Sequence, residues 1–285
     1  MAVSIPMAAA VFFAHLQVRT DAHGSKAGLA ASAQVKTPAI QSKIDTSPVV
    51  SVNDQDNKLQ NIINQFVDSH PGHKWSVQVQ GLGDDERTAS YSSTHSYRSA
   101  SMFKLLLMYP LIQKTPMSQW SSTDVQVNGQ SRTLSDCVSA MLKVSDNPCG
   151  AAVGDYVGWE DADVQLNSIG LQNTDLNNPQ GPTTSAADIS YYLQGLYNGK
   201  WFDGATRSFI INILQQQVLR SGIPTGCGSQ CKVADKTGDL GYVRHDAGIV
   251  RYPGGQYVLS IFTDGASYSQ IAQLAGQLQT AMLSH

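Results

Sequence analysis

The chain has 285 residues, 41% of them hydrophobic and 14% charged, with a formal net charge of −3; its pI is near 6.1 and its mean hydropathy −0.20. That length and apolar content allow a domain with a substantial core. The weak acidity and the lack of a Lys/Arg stripe exclude the electrostatic footprint of a nucleic-acid-binding protein, so no nucleic-acid partner is expected.

The chain opens on an apolar run, "AVSIPMAAAVFFAHLQV", residues 2–18. It has the character of a secretory signal core or a short signal anchor, although no Lys or Arg precedes it and His15 and Gln17 interrupt it. We read residues 1–19 as a signal peptide or signal anchor, with Ala33 in "AASAQ" as a candidate cleavage position. The alternative is an unstructured start without a targeting role. Residues 20–57 are rich in Ser, Ala, Thr, Gln and Asp without periodicity, the composition of a flexible linker. Residues 58–285 are then the folded domain. The expected location is extracytoplasmic, either free or held by the N-terminal anchor, and the expected state is a monomer.

In "KLQNIINQFVDSH" the residues Leu59, Ile62, Ile63 and Phe66 fall at helical spacing. "KWSVQVQGL" alternates Trp75, Val77 and Val79, and "RTASYSS" follows a Gly-containing acidic turn, which predicts a strand hairpin. A helical block comes next. Its first helix is "SMFKLLLMYPLI", and "RTLSDCVSAMLKV" is the second, with Thr133 and Asp136 placed as a capping box. "NPCGAAVGDYVG" has Pro148 in its first turn, "VGWEDADVQL" reads as another helix start, and further helices are predicted over 184–198 and 205–217. Strands return in "CKVADKTG", "RHDAGIVRY" and "QYVLSIFTD", the last two joined through Pro253, Gly254 and Gly255, and a helix over 268–283 closes the chain. Strands at both ends around a helical middle predict an α+β fold. Its antiparallel sheet is built from N- and C-terminal strands with packed helices, and an all-helical lobe is inserted, with a cleft between the two.

Four cysteines in an exported chain suggest disulfides. Cys227 and Cys231 bracket "GSQ" and are the favoured bridge. Cys137 and Cys149, on either side of Ser145, are either a second bridge or buried thiols. The spacing is not that of a Zn site, and His70 and His73 in "HPGH" read as a solvated turn, so neither a metal nor another cofactor is expected.

Three short motifs occur in one order: Ser101-Met102-Phe103-Lys104, Ser145-Asp146-Asn147 and Lys236-Thr237-Gly238. Residues i and i+3 share a helix face, which places Lys104 within reach of the Ser101 hydroxyl. Burial among Leu105, Leu106 and Met108 disfavours an ammonium and moves Lys104 towards a base. Lys236 adds to that push, and an acidic partner opposes it. Ser145 is placed to relay a proton to a leaving nitrogen, Asn147 to bond a substrate amide, and Asp146 to hold the turn. Lys236 and Thr237 suit a substrate carboxylate. Gly238 leaves room for substrate backbone along the strand edge, and Asp239 N–H is a second oxyanion donor beside that of Ser101.

With these motifs, and with "LRSGIPTG" and "NPQGPTTSAADIS", the folded part resembles the class A β-lactamases and the small penicillin-binding proteins of the same fold. The resemblance implies an acyl-enzyme on Ser101 formed from a β-lactam or a D-Ala-D-Ala peptide end. Lys104 is then the general base, Ser145 the relay, Asn147 the amide contact, and Lys236 and Thr237 the carboxylate binders. The partner it implies is a small-molecule or peptidoglycan-peptide substrate.

One family element is missing. Efficient class A enzymes carry a water-activating Glu in an E-x-x-L-N pattern. This chain has only Glu86, in a strand turn, and Glu160, at a helix start. The nearest echo is "NTDLN", with Asn173 at the Glu position, Asp175 the only carboxylate nearby and a loop over 176–183 that looks abbreviated. The expectation is a DD-peptidase-like serine hydrolase that releases β-lactam acyl groups slowly. The alternatives are a β-lactamase with a divergent loop and a non-catalytic β-lactam or muropeptide sensor; a glutaminase-like amidase fits the wider pattern less well.

Overall fold

The computed structural model describes residues 57–284; the signal and linker readings over residues 1–56 lie outside the described residues. Helix α1 (Asn57–Asp68) buries Leu59, Ile63, Phe66 and Val67 on one stripe. It leads to the hairpin of β1 (Lys74–Gly81) and β2 (Thr88–Tyr91), then to a short strand β3 (Ser96–Arg98). The turn between α1 and β1 departs from the solvated reading. His70 stacks on Phe66 at 4.3 Å with its Nδ1 2.7 Å from the Phe66 carbonyl, and His73 packs edge-on to Trp75. The turn folds back on the apolar end of α1, and both rings take part in that packing.

The stretch bearing Lys104 starts as a 3₁₀ turn, Ala100–Met102, and continues as α2 (Phe103–Leu106) and α3 (Met108–Lys114). Sequence alone predicts one helix here. Pro110 has no N–H to give the Leu106 carbonyl, and the helix is interrupted at Leu107. The hairpin β4 (Asp124–Val127) and β5 (Gln130–Thr133) escapes the sequence reading. Its Asn128-Gly129 turn, with positive φ at both residues, was the available signal.

Helix α4 (Leu134–Lys143) is capped by Thr133 Oγ1, which accepts from Asp136 N–H at 3.1 Å. Helices α5 (Asn147–Val157) and α6 (Trp159–Ser168) follow. Strand β6 (Thr183–Ser185) precedes α7 (Ala186–Asn198), which Gly199 ends in the left-handed region. The predicted helix start at Thr184 is therefore moved. Thr183–Ser185 pair with β3, and Ser185 Oγ caps α7 by accepting from Asp188 N–H. The remaining elements are α8 (Gly204–Gln215), α9 (Ile223–Cys227), β7 (Lys232–Asp239), β8 (Val243–Tyr252), β9 (Gly255–Asp264) and α10 (Tyr268–Leu283).

The main sheet has the order β2-β1-β9-β8-β7, antiparallel throughout, so the N-terminal hairpin closes on the C-terminal strands. Alternation sends Tyr257, Leu259 and Ile261 into a core shared with α1 and α10, and Val258 and Phe262 into the core of the helical lobe. Strand β7 is an edge of this sheet.

Both cysteine pairs are joined: Cys227–Cys231, and Cys137–Cys149 with a Cα–Cα distance of 4.8 Å. Of the two readings for Cys137 and Cys149, the bridge holds. It ties α4 to α5 across the Ser145–Asn147 turn, and closing so short a loop contributes about 3 kcal/mol by restricting the unfolded chain. Among the described residues, no helix is long and apolar enough to cross a membrane.

Candidate active site

The three motifs meet in space. Lys104 Nζ lies 2.9 Å from Ser101 Oγ, 2.6 Å from the Ser145 carbonyl, 2.6 Å from Asn147 Oδ1 and 3.3 Å from Ser145 Oγ. Lys236 Nζ reaches the same Ser145 hydroxyl from the other side, at 2.9 Å, and donates to the Thr237 carbonyl at 2.7 Å. Ser145 Oγ thus bridges the two lysines.

Local backbone geometry aims these groups. Ala100, one residue before Ser101, has φ 48°, and Ser145 has φ 59°. Non-glycine residues in this region are costly and persist where surroundings over-determine them. At Ser145 the turn is held by Asp146, whose Oδ1 accepts from Cys149 N–H at 2.7 Å as the N-cap of α5. At Ala100 it is held by Ser99 N–H, which donates to the Pro182 carbonyl, and by Met102 N–H, which donates to the Ser99 carbonyl. His245 adds a further tie. Its Nδ1 accepts from Thr263 N–H, so its proton is on Nε2, which donates to the Arg98 carbonyl at 2.9 Å.

Both lysine side chains are fully buried. Burial draws the Lys104 ammonium down to about 8, with the charge of Asp146 opposing. It draws Lys236 down to about 7, helped by repulsion from Lys104 and opposed by Asp235 and Asp246. A neutral Lys104 amine has one lone pair and two N–H groups, which matches a proton received from Ser101 Oγ and two donated to Ser145 O and Asn147 Oδ1.

Gly238 comes close to Ser101. A Cβ at Gly238 would lie 3.0 Å from Ala100 Cβ, 3.1 Å from the Ser99 carbonyl and 3.3 Å from Ser101 N. On its side-chain face Gly238 packs directly on the Ser99–Ser101 turn, so the position must be bare for β7 to approach Ser101. The next residue, Asp239, is exposed, and its carboxylate accepts from Gly241 N–H and pairs with Arg244 Nε at 3.4 Å.

Beneath the strand, Asp235 takes Arg220 Nη1 at 2.5 Å and Gln217 Nε2 at 2.7 Å. Asp246, paired with Thr237 across β7 and β8, takes Ile223 N–H at 2.7 Å on one oxygen and has no partner on the other. Burial pushes both carboxyls up, Arg220 and Lys236 resist this at each, and repulsion from Asp235 raises Asp246 further.

Sequence reasoning missed two residues of this constellation. Gly150 sits one turn after Asn147, and a Cβ there would lie 2.7 Å from Lys104 Cε, so its bareness makes the channel for the lysine stem. A glycine inside a predicted helix was the readable signal. Gln217 bonds β7 from the end of α8 and leaves no trace in the sequence pattern.

In the loop that carries the echo of the family pattern, polar groups bond within the chain. Asn173 N–H and Nδ2 donate to Asp188 at 2.8 and 3.1 Å, and Thr174 Oγ1 donates to Asp188 at 2.7 Å. Asp175 accepts from Asn178 Nδ2 at 3.1 Å while its backbone bridges Thr183. Glu86 lines a cavity of ≈ 530 Å³ at the end of the sheet away from Gly238. That cavity is acidic and holds none of the motif residues. Glu160 lies in the first turn of α6, where its charge suits the helix dipole. No carboxylate among the described residues hydrogen-bonds Ser101, Lys104, Ser145 Oγ or Asn147 Oδ1.

Fold and constellation together are those of a serine hydrolase. The sequence profile of the β-lactamase enzyme family matches residues 56–285, and the chain belongs to that family. Among solved structures it is similar to PBP-A, with 22% identity and a TM-score of 0.70 over 80% of this chain and 97% of that one. A β-lactamase from Sphaerobacter thermophilus matches with 19% identity and a TM-score of 0.68 over 78% of this chain and 95% of that one. An ancestral Gram-negative class A β-lactamase variant matches with 18% identity and a TM-score of 0.68 over 80% and 99%. No curated protein matches the chain.

Proposed function

We propose that the protein is a penicillin-recognising hydrolase of DD-peptidase type, which forms an acyl-enzyme on Ser101 and frees β-lactam acyl groups slowly. The observation that carries this reading is the 2.9 Å contact between Ser101 Oγ and a buried Lys104 amine drawn down to about 8. Ser101 Oγ attacks the substrate carbonyl and its proton passes to Lys104 Nζ, while Ser101 and Asp239 N–H groups receive the oxyanion. The carbonyl then reforms as the C–N bond breaks, and the leaving nitrogen takes a proton through Ser145 Oγ, which touches both lysines. Asn147 receives a substrate amide, and Lys236 draws the terminal carboxylate; the Thr237 hydroxyl, expected to share in this, instead donates to Gln217 at 3.0 Å.

Slow release follows from the loop. Asn173 cannot take a proton from water, and Asp175 has its carboxylate on Asn178 Nδ2 and its backbone on Thr183. Among the similar structures, a point mutant of PBP-A is described as an acyl-enzyme complex with penicillin G, which supports acylation by a penicillin here. Two disulfides and the N-terminal apolar run support an extracytoplasmic site of action on peptidoglycan peptides, with residues 1–19 as signal or anchor.

The test is intact mass over time after mixing with a penicillin. A long-lived adduct that is absent from Ser101→Ala supports the reading, and rapid turnover to free penicilloate favours a β-lactamase. No adduct refutes acylation and leaves a binding role. Release of D-Ala from a D-Ala-D-Ala peptide separates a peptidase from a sensor.

A further inference from the structure

Gln217 follows α8, is 3% exposed and makes four hydrogen bonds to the free edge of β7. Its Nε2 donates to the Asp235 carbonyl at 2.9 Å and to Asp235 Oδ2 at 2.7 Å. Its Oε1 accepts from Thr237 N–H at 3.2 Å and from Thr237 Oγ1 at 3.0 Å. The neighbours determine which way the amide points: two acceptors require the NH₂ group on one side, and a backbone N–H requires the oxygen on the other. The Thr237 hydroxyl must then give its single proton to Gln217.

In β7 the odd-numbered residues turn their backbone groups away from β8. The Val233 carbonyl takes both Arg220 Nη1 and Nη2 at 3.1 Å. The Asp235 carbonyl and Thr237 N–H take Gln217, and the Thr237 carbonyl takes Lys236 Nζ. From Val233 to Thr237 the edge is therefore covered by side chains of the same chain, and Asp239 is the first residue left to meet substrate backbone.

We infer that Gln217 is a specificity-determining residue: it closes the edge of β7 beyond Thr237 and restricts the leaving group to one terminal residue. The inference rests on the proposed acylation of Ser101. With the reacting carbonyl at Ser101 and Asp239 and the terminal carboxylate at Lys236, the chain beyond the scissile bond runs along β7 from Asp239 towards Asp235. A second residue there would need the strand groups that Gln217 holds, as an added strand pairs through them.

Two peptides test this: one ending in D-Ala-D-Ala, and the same peptide extended by one glycine at its C-terminus. For the native protein, kcat/KM favours the terminal substrate by at least about a hundredfold. Gln217→Ala opens the edge and lowers that preference about tenfold, the scale of one recovered backbone hydrogen bond. A merely structural role would reduce both substrates alike and leave the ratio unmoved, which overturns the inference. Gln217→Asn keeps the amide while withdrawing it by one methylene, and is measured in the same way should the alanine variant not fold. Equal cleavage of both peptides by the native protein overturns the inference without any variant. A penicillin adduct on Ser101 with an unmoved ratio overturns this inference alone, and absence of any adduct overturns the reading of the site with it.

Discussion

The Ser101–Lys104–Ser145–Lys236 cluster and the loop over residues 171–182, which meets the Ser99–Ser101 turn through Pro182, spend their polar groups in opposite ways. In the cluster, every ionisable group is aimed at a reacting hydroxyl: both lysines touch Ser145 Oγ, and Lys104 touches Ser101 Oγ. In the loop, the acidic and amide groups hold structure. Asp188 alone collects Asn173 N–H, Asn173 Nδ2 and Thr174 Oγ1. One region is organised to move a proton off a serine, and the other to hold a chain in place. On the proposed reading, the two halves of an acyl-enzyme cycle are therefore supplied unequally.

The contrast can be broken at its strongest point. Lys104→Ala removes the base and should slow acylation by a penicillin about 10³-fold, within the range of general-base catalysis. Stopped-flow or timed mass spectrometry measures it, with circular dichroism to confirm the fold; unchanged acylation would remove Lys104 from the mechanism. Gly150→Ala leaves all four residues in place but puts a Cβ 2.7 Å from Lys104 Cε. A displaced lysine should cost about 10²-fold in acylation, and a native rate would show that the stem can yield.

A smaller effect is expected from pH. Acylation needs Lys104 neutral and Lys236 charged. Raising pH removes the Lys104 proton and speeds attack, but also removes the Lys236 proton and weakens carboxylate binding. The two ammonium groups share Ser145 Oγ and titrate as a pair. The acylation constant should therefore trace a narrow bell near neutral pH, falling about tenfold per unit on each limb. Lys236→Arg, which keeps its charge, should flatten the alkaline limb; an unaltered limb would detach it from Lys236.

The smallest change is predicted for the loop. Asp175→Asn should leave the lifetime of the penicillin adduct within about twofold, since its carboxylate takes Asn178 Nδ2 and its backbone is pinned to Thr183, which leaves it poorly placed as a base. A lifetime lengthened tenfold or more would identify Asp175 as the deacylating base, and the contrast between the two regions would fall.

Features that depend on the chain's own short periods were legible in its letters. The i to i+3 relation of Ser101 and Lys104, the alternation of Trp75, Val77 and Val79, the Asp146 cap and the order of the three motifs all lie within a few residues of one another or repeat at a fixed step. From them came the sheet closed by both ends of the chain and the inserted helices. Relations without a period were settled by packing. Lys236 meets Ser145 across 91 positions, and Gln217 meets Thr237 across 20. The space for the Lys104 stem depends on Gly150 of a different helix, and the positive φ at Ala100 and Ser145 is imposed by neighbours rather than by residue type. The same holds for the loop. Its letters showed that a glutamate was missing, but only packing showed that Asn173 turns to Asp188 and Asp175 to Asn178, because the direction of a side chain is set by which partner it finds and not by its place in the chain.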